Sequence, residues 1–398
     1  MKRCILIHYG EIGLKKANIS YFVDKLKKRL RFVLQKEFKI NYSIKHTLGR
    51  FLVSLPDDFS DADEVKYSEV LFRVFGIENF KFVYQGDVEL DPLLDSVWEN
   101  MPAYILNPDL KPRTFRVAVK RSMPLPFKST ELEREIGARL LRRGIGIKAK
   151  MVDPELVVDF EFFNDHAYFS FKKYKGAGGL SPNSQGRFVS LISSGIDSPV
   201  ASYMMMRRGA RVVFVHFHAY PFSDKSEMEN VKKLVEILSN YQFDTKLYLV
   251  PFGKFQKSIS TNLDIPSKIR TVLYRRLMVR IAERIARNEH AKGLITGDSL
   301  GQVASQTPEN MFAIHDASTI PMFYPLIGFD KDQTVALAEK IGTFDISKLP
   351  CTDTCAMFMP EHPELKANIY DVREYEKSLP LNEWVEGVLK ESEVINLK

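Results

Sequence analysis

Beyond residue 186 the chain alternates strictly: a short apolar run, a turn, then a segment with helical spacing. The apolar runs fall at 188–192, 212–217, 247–250, 293–296 and 322–326, and helical patterns begin near Pro199, Asp224, Lys254, Thr271 and Asp330. Alternation at this spacing predicts a doubly wound parallel sheet, which places ligands at the carboxyl ends of its strands. No internal repeat or low-complexity tract competes with that prediction.

The sharpest junction is the first, FVSLISSGIDSPVASYMMMRRGA, residues 188–210. Its apolar run stops at Ser193, Ser194 and Gly195, a tight turn whose backbone N–H groups can point inward. Ser198 is a suitable helix cap and Pro199 suits the first helical position, so an anion-binding nest backed by a helix N-terminus is expected. No Gly-Lys-Ser/Thr closes the loop, which excludes the phosphate loop of P-loop ATPases. The pattern resembles instead the Ser-Gly-Gly-X-Asp-Ser pyrophosphate loop of adenylating ATP pyrophosphatases, with Ser194 in place of the first of the two glycines. In such enzymes ATP adenylates a carbonyl-like oxygen and pyrophosphate leaves. Asp197 is then expected beside the phosphates through Mg²⁺, because a bare carboxylate would repel them.

The N-terminal half has another character. Residues 1–60 carry 13 Lys/Arg against 5 Asp/Glu and residues 105–150 carry 12 against 4, whereas residues 173–398 are nearly balanced at 28 against 26. Basic charge concentrated in this way is expected of a half that meets a polyanion, the alternative being a solvated basic surface. Residues 1–60 read as a strand at 4–8, a helix from about 20 to 36 and two further strands, ending in the linker-like LPDDFSDAD. Residues 61–172 form a small α+β module: the strand TFRVAVKRS, a helix capped by Ser129 or Thr130, and a hairpin turning at Asn164-Asp165. Its candidate RNA contacts are Lys120, Arg121, Lys128, Arg139, Arg142 and Arg143, beside a loop, KRSMPLPFK, that mixes basic and apolar groups. KGAGGLSPNSQGR reads as a flexible junction, which sets the domains at 1–60, 61–172 and 173–398. No apolar run approaches membrane-span length and the first residues do not form a signal peptide, so a cytoplasmic protein is expected.

Seven further stretches narrow the match: YGEIGLKK, KGAGGL, VHFHAYPF, RRLMVRIAERIA, TGDSLGQVASQT, PLIGFDK and DTCAMF. In this order, over nearly the whole chain, they resemble the tRNA 4-thiouridine synthetase (ThiI) family. The resemblance implies a ferredoxin-like domain, a THUMP RNA-binding domain and an adenylating domain. It implies that ATP adenylates O4 of a uridine near the tRNA elbow, at position eight, and that a persulfide sulfur then displaces AMP. It also implies nucleotide contacts from Leu191, Ile192, His216, Phe217, Arg275, Gly297 and Gln306 beside the Ser193, Ser194, Gly195 and Ser198 loop. Asp298 and Ser299 share the Gly297 loop as secondary candidates, and Lys331 suits charge developing on phosphate. Without the family, His216 and His218 would be ordinary strand-end histidines. Arg276, Arg280, Arg284 and Arg287 recur at helical spacing; with Glu283 and Glu289 nearby, a solvated face is expected ahead of a phosphate-facing track.

The three cysteines are too few for a disulfide framework. Cys4 reads as a buried strand residue. Cys355 stands where the family carries its adenylating-domain cysteine, and Cys351, four residues earlier, is open to a transient disulfide with it, to an acceptor role or to filling space. Two thiols at this spacing fall short of a four-ligand metal set, so no metal site is expected. Many family members carry a C-terminal rhodanese-like domain that delivers persulfide; this chain ends about forty residues after Cys355. The resemblance therefore implies sulfur from a cysteine desulfurase or another persulfide or sulfide donor, and implies a homodimer and a looser link to thiamine synthesis. Two rivals stand beside it: an adenylating enzyme for another base or small molecule, and a non-catalytic RNA-binding protein whose loop has decayed.

Overall fold

Strands with one apolar face build the first half of the chain into a single mixed sheet. The computed structural model describes residues 1–107, 112–145, 147–350 and 358–397, and divides into the units Met1–Gly179 and Leu180–Lys398. The first unit contains β1 (Arg3–Tyr9), β2 (Ile44–Thr47), β3 (Arg50–Ser54), β4 (Ile77–Gly86), β5 (Thr114–Arg121), β6 (Lys148–Ala149), β7 (Leu156–Phe163), β8 (His166–Ser170) and β9 (Tyr174–Lys175). Their order is β2-β3-β1-β4-β8-β7-β5-β6, with β9 also on β4. Only β5 pairs in parallel, with β6 and β7; Ile5 of β1 faces Val53 on one side and Phe82 on the other. The β7–β8 hairpin turns at Asn164 and Asp165, with φ of 49° and 58°, the left-handed pair a two-residue turn requires.

Helix Ile19–Phe38 lays Phe22, Leu26, Leu30, Val33 and Leu34 on the sheet, and helix Ser129–Arg142 does the same with Leu132, Ile136 and Leu140. The first turn of the second helix is closed by Glu131, whose carboxylate accepts from the Lys128 N–H at 2.8 Å, instead of by a Ser129 or Thr130 hydroxyl. The Gly-rich segment after Lys175 is not loose. Gly176 N–H donates to Glu78 O at 2.8 Å and Gly178 N–H to Ile77 O at 2.7 Å. A Cβ on Gly176 would lie 2.7 Å from the Ile77 carbonyl carbon, so glycine serves close backbone approach here, not flexibility.

A buried charge cluster sits in this sheet. Glu161 accepts from Arg50 at 2.6 Å and from Lys81 at 2.9 Å, with His8 Nε2 at 3.1 Å. Burial alone would raise its carboxyl, but the His8 bond and the Lys81 charge outweigh it and pull the group down to about 2 from 4.5. A folded value below the unfolded one adds stability that is present above pH 4.5 and is lost as pH falls toward 2. The shift corresponds to about 3 kcal/mol. Urea unfolding midpoints should therefore fall between neutral pH and about pH 3, and Glu161→Gln should flatten that fall. An unchanged pH slope in the variant would refute the assignment.

The second unit holds β10 (Gly186–Leu191), β11 (Ala210–His218), β12 (Thr245–Pro251), β13 (Leu294–Ile295), β14 (Met322–Phe323) and β15 (Glu393–Leu397), ordered β14-β13-β10-β11-β12-β15. The first five are parallel, as the alternation predicts, and β11 is buried from Val212 to Phe217. β15 was not expected: it runs antiparallel on the β12 edge, Leu247 facing Ile395. Helix Arg270–Asn288 packs Leu273, Leu277 and Ile281 into the core. Its arginines divide: Arg284 and Arg287 lie on an exposed face as expected, whereas Arg276 does not. Arg276 is fully buried on Glu376 and Asp316, Arg280 also reaches Glu376, Arg284 pairs with Glu386 and Arg287 with Glu283. The acidic partners come mainly from distant elements that sequence spacing does not reveal. Cys4 is buried in β1, and burial pushes its thiol up to about 11. Among the described residues no helix is long and apolar enough to cross a membrane.

Candidate nucleotide site

β10 has β11 on one side and β13 on the other, so the strand order reverses at its carboxyl end. A crevice opens at such a switch point because the connections leave in opposite directions. Here a cavity of about 230 Å³ is lined by Leu191, Ile192, Ser193, Asp197, Ser198, His216, Phe217, Arg275, Gly297 and Gln306, all named from the sequence. Glu227, Met278, Thr296 and Asp298 complete the lining.

The loop differs from expectation at its helix. Helix Asp197–Arg207 begins one residue before Ser198, so Ser198 lies in the first turn and does not cap it. Its hydroxyl turns back instead, accepting from the Ser193 N–H at 2.9 Å, while the Gly195 N–H donates to Ser193 Oγ at 3.4 Å. Two of the turn's N–H groups are thus held by hydroxyl oxygens, in the acceptor role an anion would otherwise take. Ser194 is buried and Gly195 exposed, and neither lines the cavity.

Asp197 is not a lone carboxylate. Lys331 Nζ donates to both its oxygens, at 2.7 and 3.0 Å, and Gln302 Nε2 to Oδ2 at 3.0 Å. Lys331 opens helix Lys331–Ile341, whose cap Asp330 accepts from the Gln333 N–H at 2.8 Å. On the opposite side Arg275 donates twice to Asp298, at 2.7 and 2.8 Å, and Gln306 once, at 3.1 Å. Burial would raise the Asp298 carboxyl, but the charge and bonds of Arg275 hold it below the ordinary carboxylate value. His216 is buried against the Ile192 carbonyl at 3.1 Å, and burial pushes its imidazole down to about 4. Glu227 carries no sequence signal that separates it from other glutamates, and Met278 and Gln302 lie in the RRLMVRIAERIA and TGDSLGQVASQT stretches, which do not single them out as site residues.

In the first unit, the basic candidates divide. Arg139 pairs with Asp91 and Glu135, and Arg143 with Asp95. Arg121 donates to the carbonyls of Leu125 at 3.4 Å and Phe127 at 3.1 Å, holding its loop, while Lys120, Lys128 and Arg142 are exposed. Cys351 and Cys355 lie outside the described residues.

Together, fold and site define a doubly wound α/β protein with a phosphate-type loop at its switch point, preceded by a mixed-sheet unit. Residues 183–381 match the family model described as thiamine biosynthesis protein (ThiI), residues 4–80 the ThiI ferredoxin-like domain and residues 94–172 the THUMP domain. The chain is 38% identical over 398 residues to a probable tRNA sulfurtransferase of Thermus thermophilus, covering 99% of this chain and 94% of the relative. It is 34% identical to one from Caldanaerobacter subterraneus, covering 100% of both. A crystal structure of a 4-thiouridine synthetase–RNA complex with bound ATP matches with a TM-score of 0.89 at 28% identity, covering 100% of both chains. The chain belongs to the ThiI family of tRNA sulfurtransferases.

Proposed function

We propose that this chain binds tRNA, uses ATP to adenylate O4 of a uridine, at position eight by family resemblance, and replaces that oxygen by sulfur to give 4-thiouridine. The observation that carries it is the single cavity gathering Leu191, Ile192, His216, Phe217, Arg275, Gly297 and Gln306 beside the loop, with the Asp197–Lys331 pair at its edge. O4 attacks the α-phosphate, an O–P bond forms, and pyrophosphate leaves. The Ser193–Ser198 loop and Lys331 hold the negative charge that moves onto the departing phosphates. Sulfide sulfur then attacks C4, and AMP leaves with the former O4.

Mg²⁺ would be held by Asp197 and the triphosphate, which suits an ion that keeps one or two carboxylates and takes its remaining oxygens from phosphate and water. It would supply further positive charge at the leaving group. Lys331 and Gln302 hold both oxygens of that carboxylate at the start of the helix.

Cys355 is proposed as the sulfur-handling thiol, fed by a cysteine desulfurase or another persulfide source. On this route the terminal sulfur of a persulfide carried by Cys355 would attack C4 as AMP leaves. A second thiol, a role open to Cys351, would then attack Cys355 Sγ, breaking the S–S bond to release 4-thiouridine and leaving a disulfide for an external thiol to reduce. Phe358, three residues past Cys355, is held by the Phe222 ring at 5.9 Å and by Tyr274, whose hydroxyl donates to its carbonyl at 3.3 Å. Of the RNA candidates, exposed Lys120, Lys128 and Arg142 are expected to contribute more than Arg139 and Arg143, which already face carboxylates.

Incubation with tRNA, ATP, Mg²⁺ and sulfide should produce 4-thiouridine absorbance, and Asp197→Ala should slow it by about 100- to 1,000-fold. Absence of 4-thiouridine with the unaltered chain would refute the proposal. Pyrophosphate released without tRNA would point to a different adenylated substrate.

A further inference from the structure

The chain that follows Cys355 is fastened at two places, each one residue away from a lining residue of the cavity. Tyr274, which precedes Arg275, donates its hydroxyl to the Phe358 carbonyl at 3.3 Å, and the Phe358 ring meets Phe222 edge to face at 5.9 Å. Thr307, which follows Gln306, donates its hydroxyl to the Leu365 carbonyl at 2.7 Å. Beside it, the Glu364 N–H donates to the Lys268 carbonyl at 2.8 Å, and Lys268 Nζ pairs with the Glu364 carboxylate at 2.7 Å. Asn310 completes this second fastening from within helix Pro308–His315, where it is 1% exposed. Its Nδ2 donates to the Ala304 carbonyl at 2.7 Å and to the Glu364 carbonyl at 2.6 Å, and its Oδ1 accepts from the Ala367 N–H at 3.0 Å. Carbonyls only accept and a backbone N–H only donates, so the carboxamide faces one way alone.

Helix Pro308–His315 is already seated in the core by Ala313 and Ile314, so the three bonds of Asn310 do more than attach it. Ala304 opens the short turn Ala304–Gln306, whose last residue lines the cavity. One side chain therefore ties that turn to residues 364–367. An aspartate of the same shape would set oxygen against two carbonyls and break the tie. We infer that Asn310 is a positioning residue for sulfur transfer: it holds the chain that leaves Cys355 in register with the turn that carries Gln306. This rests on the proposed reaction, with Cys355 as its thiol. Adenylation needs only ATP and O4 at the cavity, so losing the register slows the second step and spares the first. The waiting adenylate is then lost to water: a water oxygen attacks C4, AMP leaves with the former O4, and uridine is regenerated. Free sulfide reaches C4 without Cys355 and does not depend on the register.

Single turnovers, with the full chain in excess of tRNA and with ATP and Mg²⁺, should compare two sulfur sources: free sulfide, and a cysteine desulfurase supplied with cysteine. 4-Thiouridine absorbance and pyrophosphate are read together. With the desulfurase, Asn310→Asp should form 4-thiouridine roughly 10- to 100-fold more slowly than the unaltered chain, the cost of a misplaced reacting group. Pyrophosphate released per 4-thiouridine should rise severalfold. With sulfide the two proteins should agree within about twofold, well under that cost. Thr307→Val, which removes the bond to Leu365, should move both readings the same way by less, and it decides the point if Asn310→Asp fails to fold. A merely structural role would slow both sulfur routes together and leave pyrophosphate per 4-thiouridine unchanged. That result, or an unchanged desulfurase-dependent rate, would overturn this inference alone. A Cys355→Ala protein that keeps the desulfurase-dependent rate would overturn the role of Cys355 and this inference with it. No 4-thiouridine from the unaltered chain with either source would overturn the proposed reaction as well.

Discussion

A Gly297→Ala variant is expected to remain folded and to lose about a hundredfold in kcat/KM for tRNA thiolation. A Cβ built on Gly297 would lie 2.7 Å from Ser198 N, 2.8 Å from Ser198 Cα and 3.0 Å from the Asp197 carbonyl carbon. These are backbone atoms in the first turn of helix Asp197–Arg207, so no flexible side-chain end can give way. The strand-end loop and the helix must part by several tenths of an ångström. The first turn carries Asp197, which holds Lys331 and Gln302, and Ser198, whose hydroxyl closes the loop. A displacement approaching an ångström at reacting groups costs about two orders of magnitude in rate, whereas one extra methyl against the backbone costs only about 1–3 kcal/mol of stability. Pyrophosphate release at tRNA concentrations below KM, set beside a thermal unfolding curve, separates the two effects. Unchanged turnover would show that the loop tolerates the shift and that Asp197 and Ser198 do not need this placement.

Gly297 also shows what could be read from sequence. Strand, turn and helix around residues 188–207 are local, and a parallel strand buried on both faces announces itself as an apolar run, so the loop and the five parallel strands were legible. Pairing across the chain was not. β15 is a short run of mixed burial whose partner β12 lies far back in sequence. The glycines after Lys175 have the composition of a linker, yet they are laid against β4 because only glycine allows that approach. Ser198 has the chemistry of a cap, and its hydroxyl found a backbone N–H five residues earlier instead. At the site, residue types gave the nucleotide contacts only through family resemblance. Which carbonyl or carboxylate His216 and Gln306 meet depends on the fold, and a sequence does not contain that.

The arginine row of helix Arg270–Asn288 is the clearest case of type without context, and it sets the largest stability effect. Arg276→Met should destabilise the second unit by about 3–5 kcal/mol, lowering its melting temperature by roughly 6–20 °C in calorimetry. Arg276 is fully buried: its guanidinium donates to Glu376 at 2.9 and 2.7 Å, to Asp316 at 3.0 Å and to the Ala313 carbonyl. Removing it leaves buried Glu376 with Arg280 at 2.8 Å and withdraws the partners that offset its desolvation. In the intact protein, burial would raise the Glu376 carboxyl, but the bond and charge of Arg276 hold it below its ordinary value. A depressed folded value adds stability above the usual carboxylate range that is lost as pH falls, so the variant should depend less on pH across that range. Much of the loss comes from the charge left behind, not from the pair itself. Adding Glu376→Leu to Arg276→Met should therefore recover part of the stability. A double variant that instead loses the full sum of the two single effects would show that the residues are not coupled, and the ion network would then be incidental to the packing around it.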